Sequence, residues 1–397
     1  MERSLTATEA ATTRVVNASP ICSSGQTKNV MRESAHPATA VEISVQFYED
    51  SVPNFAAAEL ERLYESIYSS LARFQIYAED RNISTYVARR GAEVVAVFLF
   101  RMEGDQVTVL NQQTSIRSDE ISRFADAVFS RFKRTKVVSL WGVMPTEGRL
   151  PLLSQTNFCL SDVVVALPTS AEAYLSSLGK STRRHVRSNL KRLAQTFPSF
   201  RAQAFVRGEI CAQHIRDIIQ LSNARMVIKE NVTYNSDEET PRLIQLANVY
   251  GMVLTLTIDD RVSAGAVCYR VGSTYFAQVL AHDPRFDDYK LGLVCCYLMI
   301  CECIERGGSV VRFGGSTHRY KFDFQGVLIR QNYVVIYRSL AQLLMHSVSA
   351  LEMSARAYLS RLKLWLLLAD RRDDRVSRIA TRIIIWVRQF KRSGYLP

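Results

Sequence analysis

The chain has 397 residues, 47% of them hydrophobic, which is more than one small core needs and suits two folded domains of ordinary size. Its 50 Lys and Arg outnumber 38 Asp and Glu, and the net charge of +12 favours an anionic partner such as a phosphorylated cofactor, RNA or an acidic membrane surface, without choosing among them. No run approaches the roughly 20 apolar residues of a membrane span and no apolar segment of signal-peptide type opens the chain, so a cytoplasmic protein is expected.

Residues 1–40 are rich in Ala, Ser and Thr without apolar periodicity, and a disordered arm is expected there. From Val41 the pattern changes. ISVQFYED is strand-like, NFAAAELERLYESIYSSLARF carries apolar residues at helical spacing, and STYVARR, EVVAVFLFRM and QVTVLNQQ are short β runs divided at Gly91 and at Gly104-Asp105. The helix SDEISRFADAVFSRF and the strand KVVSLWG follow. Further along, MVLTLTI, VSAGAVCYRV and STYFAQVLAH lead into the helix LGLVCCYLMICECIERG and the strand SVVRFGG. The same elements recur in the same order and at similar length, which predicts duplication of one α/β unit.

The two copies diverge after their third strand. The first continues as NQQTSIRSDE, the second as AHDPRFDDYKLG, so Lys290, Leu291 and Gly292 open the long helix of the second copy alone. A helix N-terminus presents unpaired N–H groups and the positive end of a dipole, so this start reads either as a phosphate cradle or as a plain helix beginning. Cys295, Cys296, Cys301 and Cys303 in the same helix lack paired CxxC spacing and read as small buried hydrophobes in a reducing compartment; no metal is expected.

Beyond the strand SVVRFGG stands FGGSTHRYKFDFQG, an unusual concentration of aromatic and charged residues after a Gly-Gly turn. Three meandering strands, a glycine at the next helix start, a further strand and then Tyr320-Lys321-Phe322-Asp323-Phe324-Gln325-Gly326 resemble the second domain of tandem GNAT-type acyltransferases, which include Fem-type peptidyltransferases and cellulose-biosynthesis-associated acetyltransferases. The likeness spans about 41–340. Upstream, SLGKSTRRHVRSNLKRL resembles the basic helix preceding the catalytic domain in those families, with Lys180, Arg183, Arg184, Arg187 and Lys191 on one face. That face reads as a solvated surface or as a contact for donor or acceptor phosphates.

The resemblance implies an α/β (α+β) protein of two tandem GNAT-like domains, with mixed, mostly antiparallel sheets flanked by helices. A first, degenerate domain is expected over 41–168 and a catalytic one over 169–340. It also implies direct attack of an amine or hydroxyl on an acyl-CoA thioester, the donor resting on Lys290, Leu291, Gly292, Leu293 and Val294. Lys321 is the expected oxyanion partner, Tyr320 the proton donor to the thiolate, and His282 or Asp323 the base, with Asp283, His318, Arg183 and Arg187 on the substrate side. The alternatives are a Fem-type enzyme that uses aminoacyl-tRNA and a non-catalytic binding module of the same fold. Over 341–397 two amphipathic, Arg-rich helices bearing Trp365 and Trp386 are expected to dock on the core, seal a dimer or lie on an anionic membrane; oligomeric state is left open.

Overall fold

The computed structural model describes residues 42–79, 81–230 and 238–369. The expected N-terminal arm and the second C-terminal helix with Trp386 lie outside the described residues.

The first half begins with β1 (Ile43–Tyr48), α1 (Ala56–Tyr64), α2 (Leu71–Ile76), β2 (Ser84–Arg90), β3 (Glu93–Glu103) and β4 (Gln106–Val109). It continues with β5 (Thr114–Arg117), α3 (Ser118–Arg131), β6 (Val137–Thr146) and β7 (Ser154–Ala166). Two helices, α4 (Ala171–Ser177) and the basic α5 (Lys180–Thr196), lead to the second half. There follow β8 (Arg201–Val206), α6 (Ala212–Glu230), α7 (Glu239–Tyr250), β9 (Gly251–Ile258), β10 (Arg261–Val271) and β11 (Thr274–His282). A 3-10 turn, Pro284–Tyr289, precedes α8 (Leu291–Glu305), β12 (Val310–Arg312), α9 (Arg319–Asp323) and β13 (Val327–Tyr337). Two last helices, α10 (Leu340–Met345) and α11 (Ser347–Ala369), close the described chain. Among the described residues no helix is long and apolar enough to cross a membrane.

The halves repeat one topology, as the duplicated pattern predicts, and their strands join a single sheet in the order β1-β2-β3-β4-β6-β13-β7-β12-β11-β10-β9-β8, with β5 beside β6. Neighbouring strands are antiparallel except at β4–β6, β5–β6 and β11–β12. The last strands are exchanged: β7 of the first half pairs with β12 of the second, β13 of the second with β6 of the first, and β7 and β13 pair with each other. Successive apolar residues of the strands point alternately to a core under α3 in the first half or α8 in the second, and to one under α1–α2 or α6–α7 on the opposite face. Cys295, Cys296, Cys301 and Cys303 are buried in the α8 core, and burial pushes the Cys301 thiol up to about 11.

The two parallel pairs end differently. In the first half β4 pairs with β6 through Val109 and Leu140, and β5 then takes the next positions beside β6, from Thr114 opposite Val143 to Arg117 opposite Thr146. In the second half β11 meets β12 only from Thr274 to Phe276, and β11 runs on to His282 with no strand on that side among the described residues. The first half is closed where the second is open.

The short β12 is anchored by a buried ion pair, Arg312 Nε to Asp162 Oδ2 of β7 at 2.6 Å, with side chains 9% and 3% exposed. Removing one partner strands a charge in the sheet, so Asp162→Ala should lower stability by about 3–5 kcal/mol in chemical denaturation, whereas Asp162→Leu with Arg312→Met should cost clearly less. Equal loss in the single and double variants would show that packing, and not the uncompensated charge, sets the cost.

Candidate active site

A bulge in β11 aims the site. Val267 of β10 stands opposite Val279 and Cys268 opposite Ala277, so Gln278 is an extra residue. Before it Tyr275 and Ala277 face α8; after it Leu280 does, while Val279 and Ala281 turn to the α6–α7 side. Without the bulge His282 would point away from the start of α8.

Beyond the end of β12 lies a cavity of about 290 Å³. Leu280 and His282 enter it from β11, Lys290, Gly292 and Leu293 from the start of α8. Arg225 of α6, Asp287 of the 3-10 turn and Tyr320 of α9 complete its wall. His282 Nε2 lies 2.8 Å from Asp287 Oδ1, and its Nδ1 lies 3.4 Å from Arg225 Nη1. The carboxylate fixes the ring, as an orienting partner fixes a histidine base. A Cβ on residue 292 would stand 2.5 Å from His282 Nδ1, so Gly292 is required for the imidazole to rest on the first turn of α8. That turn has no side-chain cap, and Lys290 precedes it in the left-handed conformation at φ 52°.

The sequence-predicted residues separate into two groups. His282, Tyr320, Lys290, Gly292 and Leu293 share the cavity. Leu291 and Val294 point into the core instead, being the inward positions of the first turn of α8. Asp283 is held outside the cavity as cap of the 3-10 turn, accepting from Arg285 N at 2.9 Å and from Arg285 Nη2 at 2.6 Å; the guanidinium keeps its carboxyl below the usual range. His318 is exposed and stacks with Tyr320 at 6.1 Å, and Asp323 is exposed, 4.0 Å from Arg319. Arg183 donates to Ser176 O and Arg187 is exposed on α5. Arg225, Leu280 and Asp287 were not among the candidates: an arginine inside an unpatterned helix and a short acidic turn carry no periodic signal.

Lys321, the oxyanion partner that the resemblance implies, does not line the cavity. RYKFD closes one helical turn and tucks the ammonium inward, 2% exposed, where it donates to Phe313 O at 2.6 Å and Ser316 Oγ at 2.5 Å, with Gly314 O at 3.4 Å. Burial lowers its pKa to about 8, against smaller opposing contributions from Asp162 and Cys296. The neighbouring Tyr320 phenol is pushed well up by burial and stays protonated.

The matching family model is an acetyltransferase (GNAT) domain, over residues 180–322, which takes in α5, the bulged β11, the start of α8 and α9. The chain carries a GNAT-type domain. No curated protein sequence matches significantly. Among solved structures, one titled FemX aligns with a TM-score of 0.57 at 10% identity, covering 76% of this chain and 100% of that one. A lysylphosphatidylglycerol synthetase C-terminal domain from Agrobacterium fabrum aligns at 0.44, with 11% identity over 74% of this chain and 95% of its own. A tandem GNAT protein from the clavulanic acid biosynthesis pathway aligns at 0.37, with 8% identity over 75% of this chain and 99% of its own. The likeness to FemX shows the fold alone.

The buried lysine of the GNAT domain gives a stability signature. Because folding lowers its pKa from 10.5 to about 8, the unfolded chain holds more protons between these values. Stability from this group therefore rises as pH climbs through that window. Lys321→Met should flatten the rise in urea midpoints relative to the parent chain. An unchanged slope would show that the ammonium is not desolvated.

Proposed function

We propose that the chain is an acyltransferase whose second-half cleft takes an acyl-CoA donor and passes the acyl group directly to an amine or hydroxyl of a small-molecule, lipid or saccharide acceptor. The observation that carries this reading is the His282–Asp287 pair seated on the uncapped start of α8, in one cavity with Lys290, Arg225 and Tyr320. Lys290 and the first turn of α8 suit donor phosphates. His282 takes the proton of the attacking acceptor, Arg225 faces the oxyanion that forms on the thioester carbonyl, and Tyr320 returns a proton to the departing thiolate. Lys321 holds the turn after β12 and so keeps the cleft wall in place.

Thiol release from short- and long-chain acyl-CoAs, followed with candidate acceptors, tests this. His282→Gln should slow turnover by on the order of a hundredfold or more with CoA affinity little changed, while Gly292→Asp should lose CoA binding. Normal turnover in His282→Gln would remove the base from the scheme, and normal CoA binding in Gly292→Asp would remove the donor site.

One observation favours a second donor. The cations of α5 extend beyond the cleft, and the helix is tied to the turn before α8 by Arg192, which donates to Asp288 O at 3.2 Å and lies 4.4 Å from the Tyr289 ring centre. A basic face next to the donor position also suits aminoacyl-tRNA, whose binding would fall steeply with salt.

The C-terminal helices supply the proposed membrane contact. Val348, Leu351, Tyr358, Leu362 and Trp365 recur on α11 at spacings of three, seven, four and three, which puts them on one face, and are 42–77% exposed. Leu351→Glu should reduce co-sedimentation with anionic vesicles, and added salt should weaken the parent chain's binding. Equal partition onto neutral and anionic vesicles would leave docking or dimerisation as the account of this face.

A further inference from the structure

We propose that a groove where β4, β6 and β7 of the first half meet β13 and α11, built from side chains outside the GNAT cleft, binds a neutral saccharide of one or two units. The groove has a volume of about 470 Å³ and lies between the sheet surface of β4, β6, β7 and β13 and the helix α11. That size is within the range of small-ligand pockets, roughly 300–1,000 Å³.

Its wall combines two features. Trp141 of β6 and Tyr333 of β13 meet with ring centres 5.3 Å apart and planes at 57°, and Trp141 remains 39% exposed. Beside the rings runs a polar row across β4 and β6, where Gln106 Nε2 donates to Ser139 Oγ at 3.0 Å and Ser139 Oγ lies 3.3 Å from Thr108 Oγ1. Across the groove Asn157 Oδ1 accepts from Ser354 Oγ at 3.5 Å, and its Nδ2 has no partner among the described residues.

This chemistry selects among ligands. A pyranose has an apolar C–H face and a rim of vicinal hydroxyls, which an indole and a row of amides and hydroxyls match together. Among the described lining residues the only charged side chain is Arg356, and it is paired with Glu352 at 2.7 Å. A phosphate would find no other cation there and an amine no carboxylate.

Calorimetry and intrinsic fluorescence of the full chain with cellobiose, maltose and N,N′-diacetylchitobiose, and with AMP as a nucleobase control, test the assignment. Saturable binding of at least one disaccharide is expected in the millimolar range or tighter. Trp141→Ala should weaken it roughly tenfold or more, with Trp141→Phe retaining part of the affinity. Trp141 is half-exposed, so circular dichroism should confirm an unchanged fold. Failure of all three disaccharides to bind, affinity unchanged in Trp141→Ala, or preference for AMP would each overturn the proposal.

Discussion

The cleft exists because β12 is only three residues long. A parallel partner continuing beside β11 would pair its edge through His282 and leave no opening; as it is, the ladder stops at Phe276 and Arg312. So short a strand cannot hold its place by its own hydrogen bonds, and it is fixed from its other edge by β7 and by the Arg312–Asp162 pair. The exchange of β7 and β13 is therefore part of the site: the first half supplies the strand and the carboxylate against which the second half's cleft stays open. A buried pair of this kind is a poor source of stability compared with apolar packing, but it demands one geometry, and register is what this junction needs.

Of the two halves that share one topology, only the second leaves a cleft open. In the first half β5 occupies the edge of β6 that its counterpart leaves free, and the helix that follows starts with Asp119 and Glu120 in its first turn. These acids complement the helix dipole and oppose the approach of a phosphate. The corresponding turn of α8 has no acidic residue. The same topology thus yields a rigid partner on one side and an anion-tolerant helix start on the other, through a four-residue strand and two carboxylates.

What the sequence showed and what it hid follow from this arrangement. Strands packed between helices on both faces are short apolar runs that end in Gly or Asp turns, so β2–β4 and β9–β11 were legible, and so was the repeat. The exchanged strands were not: β7 carries Ser161-Asp162 and β13 carries Arg330-Gln331-Asn332 in their centres, because they lie where the halves meet, and polar residues there erase the period on which recognition rests. In the site, a histidine ending a strand and a glycine opening a helix were visible as neighbours in the chain. The bulge at Gln278 that turns the histidine toward the glycine has no signature, and Arg225 arrives from a helix with no marked face.

Lys321 shows how a place in the chain can suggest a role that the side chain's direction does not support. A lysine can stabilise a developing oxyanion only with an N–H aimed at it, and this ammonium points at two loop carbonyls and Ser316 instead. Those acceptors belong to Phe313, Gly314 and Ser316, the residues directly after β12. By gathering them the lysine turns the chain away from β11 at the point where the sheet must part. The aromatic and charged block following the Gly-Gly is thus explained by the end of β12, with Tyr320 alone reaching the cavity. The electrostatic part of the proposed chemistry passes to Arg225, which lines the cavity beside His282 and has the planar fork suited to an oxygen anion.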